Sequence, residues 1–157
     1  MNNKIKVGIN GLGRIGRHIF KMCIEDPLIE LVGINEINPD LNNWSYTLNY
    51  DSIYGQSKYK TEVKNKKIIC NKKSIFTSMC KDITEVQWKD WGVNIIIDSS
   101  GVLENTYKVK RLIEDNHVEK ILFTNSPENV DFTMILGVNE TKYNPKKHHI
   151  ISTSICD

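Results

Sequence analysis

Residues 5–16 read IKVGINGLGRIG, in which a short apolar run is followed at once by three glycines. The apolar run is typical of a buried strand, and residues 14–24 carry apolar side chains at helical spacing. Pro27 disfavours helical geometry in the residue before it, so we expect the helix to end there and a second strand to cover residues 28–34. The opening of the chain therefore predicts a strand, a tight turn, a helix and another strand.

Gly11, Gly13 and Gly16 have the spacing G-x-G-x-x-G, which between a strand and a helix favours dinucleotide binding. The first glycine allows the sharp turn, the second lets the backbone approach a pyrophosphate, and the third lets helix and strand pack closely. Backbone N–H groups at the start of the helix would face the pyrophosphate. The alternative is a glycine-rich turn without a ligand.

Glu36 follows the second predicted strand, about twenty residues after Gly16, where an acidic residue accepts hydrogen bonds from the adenosine ribose. A carboxylate there would repel a 2′-phosphate, and no arginine follows within the next dozen or so residues to accept one. We therefore expect NAD to be preferred over NADP. The alternative is that Glu36 is an exposed loop acid.

Apolar runs and helical periodicity alternate along the rest of the chain. We predict helices at 41–50 and 105–116, and strands at 59–63, 68–70, 74–77, 93–98, 120–124, 133–137 and 149–152. The three short strands between 59 and 77 are separated by polar turns, which favours an antiparallel meander. The pattern predicts an α/β fold, a Rossmann-type doubly wound and mostly parallel sheet with a small antiparallel insertion.

Composition is that of a globular chain with one domain: 157 residues, 39% hydrophobic, 25% charged and a formal net charge of +2. Acidic residues are interleaved with the lysines, so the sequence has no basic segment of the kind that binds nucleic acid. No window of the sequence is apolar enough to span a membrane. We expect a cytoplasmic protein. The four cysteines and four histidines lack metal-ligand spacing, so we expect no metal site.

Residues 6–17, KVGINGLGRIGR, closely resemble the opening of the glyceraldehyde-3-phosphate dehydrogenase family. Further family landmarks follow in the right order, at residues 34–36, 50–55, 98–102, 137–139 and 150–152. The strings at 34–36 and 88–93 are somewhat more similar to the erythrose-4-phosphate dehydrogenase branch. The resemblance spans the whole chain.

The resemblance implies site residues and a chemistry. Asn10, Arg14 and Ile15 would lie along the cofactor, Glu36 would replace the usual Asp, and Ser100, Gly101 and Thr124 would line the path to the nicotinamide. Cys156 would be the nucleophile: its thiolate attacks a phosphorylated aldehyde, the adduct gives hydride to NAD, and the thioester is released. A homo-oligomer is implied for the complete enzyme.

Two departures from the family pattern qualify this hypothesis. The family's catalytic histidine and substrate domain come after the cysteine, so we expect residues 1–157 to be the NAD-binding domain, with the catalytic domain absent. A stand-alone NAD-binding module and an inactive truncated remnant are the alternatives. Ile155 and Asp157 replace hydroxyl residues beside the cysteine, which leaves open whether phosphate or water accepts the acyl group.

Overall fold

The computed structural model describes residues 4–51 and 55–153. Its strands and helices follow in this order: β1 (Ile5–Asn10), α1 (Arg14–Glu25), β2 (Ile29–Asn35), α2 (Leu41–Asn49), β3 (Tyr50–Asp51), β4 (Gly55–Gln56), β5 (Thr61–Lys64), β6 (Lys67–Cys70), β7 (Lys73–Ser78), β8 (Ile95–Asp98), α3 (Asn105–Lys108), α4 (Lys110–Glu114), β9 (Lys120–Phe123), β10 (Phe132–Thr133) and β11 (Ile150–Ser152). Single 3-10 turns occur at Ile83–Glu85 and Glu140–Lys142.

In the part of the chain that the structure describes, nine strands form one sheet in the order β10-β11-β9-β8-β1-β2-β7-β6-β5. Every pair from β10 to β7 is parallel, and β7, β6 and β5 pair antiparallel. Strands β3 and β4 form a separate antiparallel pair. The predicted Rossmann-type α/β fold, with its mostly parallel sheet and small antiparallel insertion, is confirmed.

Each face of the central strands β1 and β2 is covered by a hydrophobic core. Ile9 and Ile34 lie in the core on the side of α1, with Phe20 of that helix. On the other face, Gly8 and Gly33 are paired neighbours, and a methyl group on either would collide with the indole of Trp88 or Trp91. The absent side chains let two bulky rings pack directly onto the sheet.

Strand β7 joins the antiparallel meander to the parallel sheet. It pairs antiparallel with β6 and parallel with β2, so that Ser78 lies beside Asn35. The meander is therefore an extension of the main sheet and not a separate layer. This register brings the loop after β7 to the same edge as the end of β2.

Several boundaries differ from the sequence prediction. The strand predicted at 133–137 is wrong: the strand is Phe132–Thr133, and the chain then turns. The Asn139 side chain accepts from the Ile135 N–H and donates to the Thr133 carbonyl, and Gly137 has a φ of +84°, which no strand accommodates. The helix predicted at 105–116 is interrupted at Val109, whose carbonyl accepts from the Leu112 N–H in a tight 3-10 bond.

Candidate functional site

The carboxyl ends of β1, β2 and β8 meet at one edge of the sheet, where Asn10 lies between Asn35 and Asp98. The loops that follow these strands enclose a cleft of about 190 Å³. Its lining combines glycines, short polar side chains, a carboxylate, a lysine and two aliphatic side chains: Asn10, Gly11, Gly13, Asn35, Glu36, Ile37, Cys80, Lys81, Ser99, Ser100, Val102 and Asn105. Open parallel sheets bind ligands in this kind of crevice.

A wider depression of about 820 Å³ lies at the opposite edge, where the parallel strands begin. Charged residues of both signs line it, among them Lys4, Lys6, Glu30 and Glu119. No turn with the spacing G-x-G-x-x-G borders it within the described residues, and the amino ends of parallel strands are not where such sheets bind ligands. We therefore take the smaller cleft as the candidate site.

The three glycines of the turn differ in the space that surrounds them. Gly11 has a φ of +92°, and a Cβ there would lie 2.7 Å from the backbone nitrogen of Ser100. A Cβ at Gly16 would overlap the carbonyl oxygen of Gly11. Gly13 has an ordinary φ of −67°, and a Cβ there would meet no atom of residues 4–51 and 55–153 within 4 Å. Gly11 and Gly16 are thus required by the protein itself, whereas Gly13 leaves open space in front of the turn.

Helix α1 begins immediately beside that open space. Gly13 is its N-cap residue, and no side chain of the described residues caps its first N–H groups. The first N–H groups of a helix carry a partial positive charge and lack partners inside the helix. The turn therefore offers an anionic group both room and hydrogen-bond donors.

Glu36 is held at the end of β2 by backbone donors. Its Oε2 accepts from the Leu12 N–H at 2.6 Å, and its Oε1 accepts from the Asn38 N–H at 3.2 Å. The side chain is half-buried and lines the cleft. Because each carboxylate oxygen has two acceptor sites, both retain capacity for a ligand hydroxyl.

Asn35 connects three segments of the site. Its Nδ2 donates to Asn10 Oδ1 at 2.7 Å and to the Cys80 carbonyl at 2.9 Å, and its Oδ1 accepts from the Cys80 N–H at 2.9 Å. Asn10 and Asn35 are both buried. No sequence pattern predicts a role for Asn35, Cys80 or Lys81. Their proximity depends on the parallel pairing of β7 with β2, for which the sequence carries no local signal.

The loop after β8 forms the wall opposite Glu36. Ser99 ties it to the glycine turn, because its Oγ donates to the Gly11 carbonyl at 2.7 Å and its N–H donates to the Asn10 carbonyl at 2.8 Å. Ser100 is next in this wall, and Gly101, with a φ of +78°, lets the chain turn away. The sequence predicted Ser100 and Gly101 but not Ser99.

The structure brings Asn10, Gly11, Gly13, Glu36 and Ser100 together around the cleft. Five other predicted residues do not line it: Arg14, Ile15, Gly16, Gly101 and Thr124. Arg14 and Ile15 are exposed on the first turn of α1 and do not line the cleft, and Ile15 is 55% exposed. Thr124 follows β9, and its N–H donates to the Asp98 carbonyl at 3.0 Å. Cys156 lies outside the described residues, as do Ile155 and Asp157.

Among the described residues, four groups titrate away from their ordinary ranges, and none of them lines the cleft: Cys23, Lys58, Cys70 and Asp82. A hydrogen bond with Glu25 raises the pKa of the exposed Lys58. Burial raises the pKa of Cys23 to about 11, with a smaller contribution from Asp26, and burial also raises the pKa of Cys70. A hydrogen bond from Lys108, at 2.7 Å, is the main reason that the pKa of Asp82 falls to about 2. The two thiols are core residues, and Asp82 caps the 3-10 turn that follows β7.

Among residues 4–51 and 55–153, no group of three histidine, cysteine or acidic side chains is arranged to hold a metal ion. No helix of this part of the chain is long and apolar enough to cross a membrane.

Comparison with known proteins gives consistent matches. Residues 5–106 match the family model described as glyceraldehyde 3-phosphate dehydrogenase, NAD binding domain. The chain is 34% identical over 152 residues to the glyceraldehyde-3-phosphate dehydrogenase of Geobacillus stearothermophilus. It is 33% identical over 156 residues to glyceraldehyde-3-phosphate dehydrogenase 1 of Bacillus subtilis (strain 168), and 33% identical over 153 residues to the Streptomyces coelicolor enzyme. Each match covers 97% of this chain and 45% of the relative.

Proposed function

This chain belongs to the family of NAD-binding domains of glyceraldehyde 3-phosphate dehydrogenases, and we propose that it binds NAD in the cleft between the glycine turn, Glu36 and the Ser100 wall. The observation that carries the proposal is the pairing of Glu36 with the turn. A carboxylate that accepts the Leu12 N–H at 2.6 Å stands beside an uncapped helix start. The site therefore offers an acceptor for ribose hydroxyls next to donors for a pyrophosphate.

The residues present fit such a nucleotide. The open space at Gly13 is where a pyrophosphate needs the backbone to be accessible, and a side chain there would fill it. Glu36 would hold the adenosine ribose, and the first turn of α1, with Arg14 and Ile15, would lie along the phosphates. Asn10, Ser100, Gly101 and Thr124 would border the nicotinamide side. Bound NAD would supply a hydride acceptor.

We propose that NAD is preferred over NADP. A 2′-phosphate on the adenosine ribose would lie beside the Glu36 carboxylate, and the two negative charges would repel each other. Lys81 lines the same cleft and would act in the opposite sense, as a cation for a phosphate. Glu36 is held in place by two backbone hydrogen bonds, whereas Lys81 is exposed on its loop, so we expect the repulsion to dominate.

The complete reaction is a second part of the proposal. The chain spans 45% of the length of these curated relatives, which are glyceraldehyde-3-phosphate dehydrogenases. We propose that residues 1–157 are the NAD-binding domain of a cytoplasmic, homo-oligomeric enzyme that oxidises a phosphorylated aldehyde. Cys156 would form a thioester with the substrate, and a histidine from the substrate domain would activate its thiol.

Isothermal titration calorimetry with NAD and NADP tests the binding proposal. We expect NAD to bind with a dissociation constant in the micromolar range, roughly 8 kcal/mol of binding free energy, and NADP to bind at least about tenfold more weakly. Absence of binding at millimolar NAD would contradict the proposal, and tighter binding of NADP would contradict the preference. The catalytic part predicts no aldehyde-dependent NADH formation by residues 1–157 alone, but NADH formation once a substrate domain of the family is supplied.

A further inference from the structure

Asp98 is a buried carboxylate at the end of β8, immediately behind the cleft wall. Only 2% of its surface is exposed. Its Oδ1 accepts from the Ser100 N–H at 2.9 Å and from the Ser100 hydroxyl at 2.6 Å, and its Oδ2 accepts from Asn105 Nδ2 at 2.7 Å. In the described ranges, no lysine, arginine or histidine nitrogen lies within 4.0 Å of it.

A buried carboxylate without a cation is costly unless hydrogen bonds satisfy its oxygens. Here the donors come from Ser100 and Asn105. These residues lie in, and at the end of, the loop that leads from β8 to α3. Asp98 therefore fixes the shape of the loop after β8, because it accepts hydrogen bonds from both Ser100 and Asn105. An apolar side chain would cost less to bury at this position but could not accept these bonds.

Ser100 shows what this arrangement leaves for a ligand. Its hydroxyl donates its single hydrogen to Asp98, and its oxygen accepts from the Val102 N–H at 3.2 Å and from Asn105 Nδ2 at 3.3 Å. A hydroxyl has one donor and two acceptor positions, so all three are occupied. The Ser100 side chain is thus turned into the loop, and the backbone of Ser100 is what packs against Gly11.

We propose that Asp98 is a positioning residue for NAD, which acts through the Ser100 loop and does not touch the nucleotide. The inference rests on the proposed function. The carboxylate holds the Ser100 backbone against Gly11 and so sets the wall on the nicotinamide side of the cleft. Glu36, at the other side, serves the adenosine half independently. Loss of Asp98 therefore weakens NAD binding. The binding of AMP, which lacks the nicotinamide half, is nearly unaffected.

Calorimetric titration of NAD and of AMP into the wild-type chain, Asp98→Asn, Ser100→Ala and the double variant tests this. Asparagine keeps the size of the side chain, but its amide group cannot accept from both Ser100 and Asn105. We expect Asp98→Asn to lower the affinity for NAD about tenfold and the affinity for AMP less than about twofold. Ser100→Ala should also weaken NAD binding. The double variant should weaken it no more than Asp98→Asn alone, because both changes remove the same interaction, the hydrogen bond between Ser100 and Asp98.

Asp131→Asn is the control, since Asp131 also accepts hydrogen bonds close to a strand, from the His149 and Ile150 N–H groups, but is exposed and does not line the cleft. It should leave both affinities unchanged. Equal weakening of NAD and AMP by Asp98→Asn would mean a purely structural role and overturn the inference. Additive effects in the double variant would mean that Ser100 touches NAD directly, and would overturn it too. Should Asp98→Asn not fold, unchanged NAD affinity in Ser100→Ala would overturn the inference, whereas absent binding by the wild type would overturn the proposed function.

Discussion

The Leu12 N–H donates to the Glu36 carboxylate across 2.6 Å, so the acidic end of β2 and the glycine turn after β1 are one hydrogen-bonded unit. The two residues are separated by 24 positions in the chain. This contact means that the position of the acid depends on the geometry of the turn. Changes to either should therefore alter nucleotide binding in a coupled way.

Glu36→Gln removes the negative charge and retains the size of the side chain. We expect it to weaken NAD by about tenfold and to narrow the difference between NAD and NADP, because the repulsion of a 2′-phosphate is removed. Calorimetric titration of both nucleotides measures the ratio. Glu30→Gln, at the opposite end of the same strand, is the control and should change neither affinity. An unchanged ratio in Glu36→Gln would assign the preference to another group, with Lys81→Met as the next variant to measure.

Gly13 and Gly16 should respond differently to alanine. Gly13→Ala adds a methyl group to open space, so we expect its free energy of unfolding to stay within about 0.5 kcal/mol of wild type while NAD binding is lost or much weakened. Gly16→Ala forces a methyl group onto the Gly11 carbonyl and should destabilise the fold by roughly 1–3 kcal/mol. Urea unfolding and calorimetry separate the two effects. Normal NAD affinity in Gly13→Ala would refute the role given to the open space.

Cys80 provides a chemical footprint, because it lines the cleft and is partly exposed. We expect iodoacetamide to label Cys80 about tenfold more slowly when NAD is present at ten times its dissociation constant, since only about a tenth of the chains are then free. Peptide mass spectrometry gives the rate for each cysteine. Cys23 is the internal control: its thiol is buried and its pKa is raised to about 11, so it should stay unlabelled with or without NAD. Equal rates at Cys80 would place the nucleotide elsewhere.

Asp82 should make stability depend on pH in the acid range. Its pKa falls from 3.8 to about 2 in the folded chain, so its contribution is present above pH 3.8 and is lost as the pH falls towards 2. Asp82→Asn should lower the free energy of unfolding by up to about 1 kcal/mol at pH 7, because it removes a partly exposed ion pair with Lys108, and the difference from wild type should shrink as the pH falls through about 2. Lys108→Met should reproduce part of the loss, whereas Lys110→Met, an exposed neighbour, should not. A difference that does not shrink between pH 3.8 and pH 2 would contradict this assignment.

The first third of the fold could be predicted because its signals are local. The glycine spacing, the periodicity of α1 and the position of Glu36 all act within about forty residues, and the structure has the predicted strand, turn, helix and strand there. The parallel sheet followed from the alternation of strands and helices. Glu36 could be placed at the site because the acid must follow the second strand of such a unit.

The rest of the site depended on contacts that no local pattern carries. Cys80 and Lys81 reach the cleft through the pairing of β7 with two different strands, which the meander pattern alone does not specify. Asn35 and Asp98 are buried polar groups at strand ends, and the composition of those strands indicated only that they are apolar. The strand expected at 133–137 does not form, because the Asn139 side chain bonds the Ile135 N–H and the Thr133 carbonyl and so stabilises a turn. These bonds outweigh the β propensity of the residues before the turn.

The bonds that Ser99 makes to Asn10 and to Gly11 join positions 89 and 88 residues apart, respectively. A ribosome therefore releases the glycine turn long before the wall that supports it. Contacts between distant segments form later than local ones during folding. The first motif to be translated is thus among the last to acquire its final support, and a nascent chain that stops before β8 carries the motif without its wall.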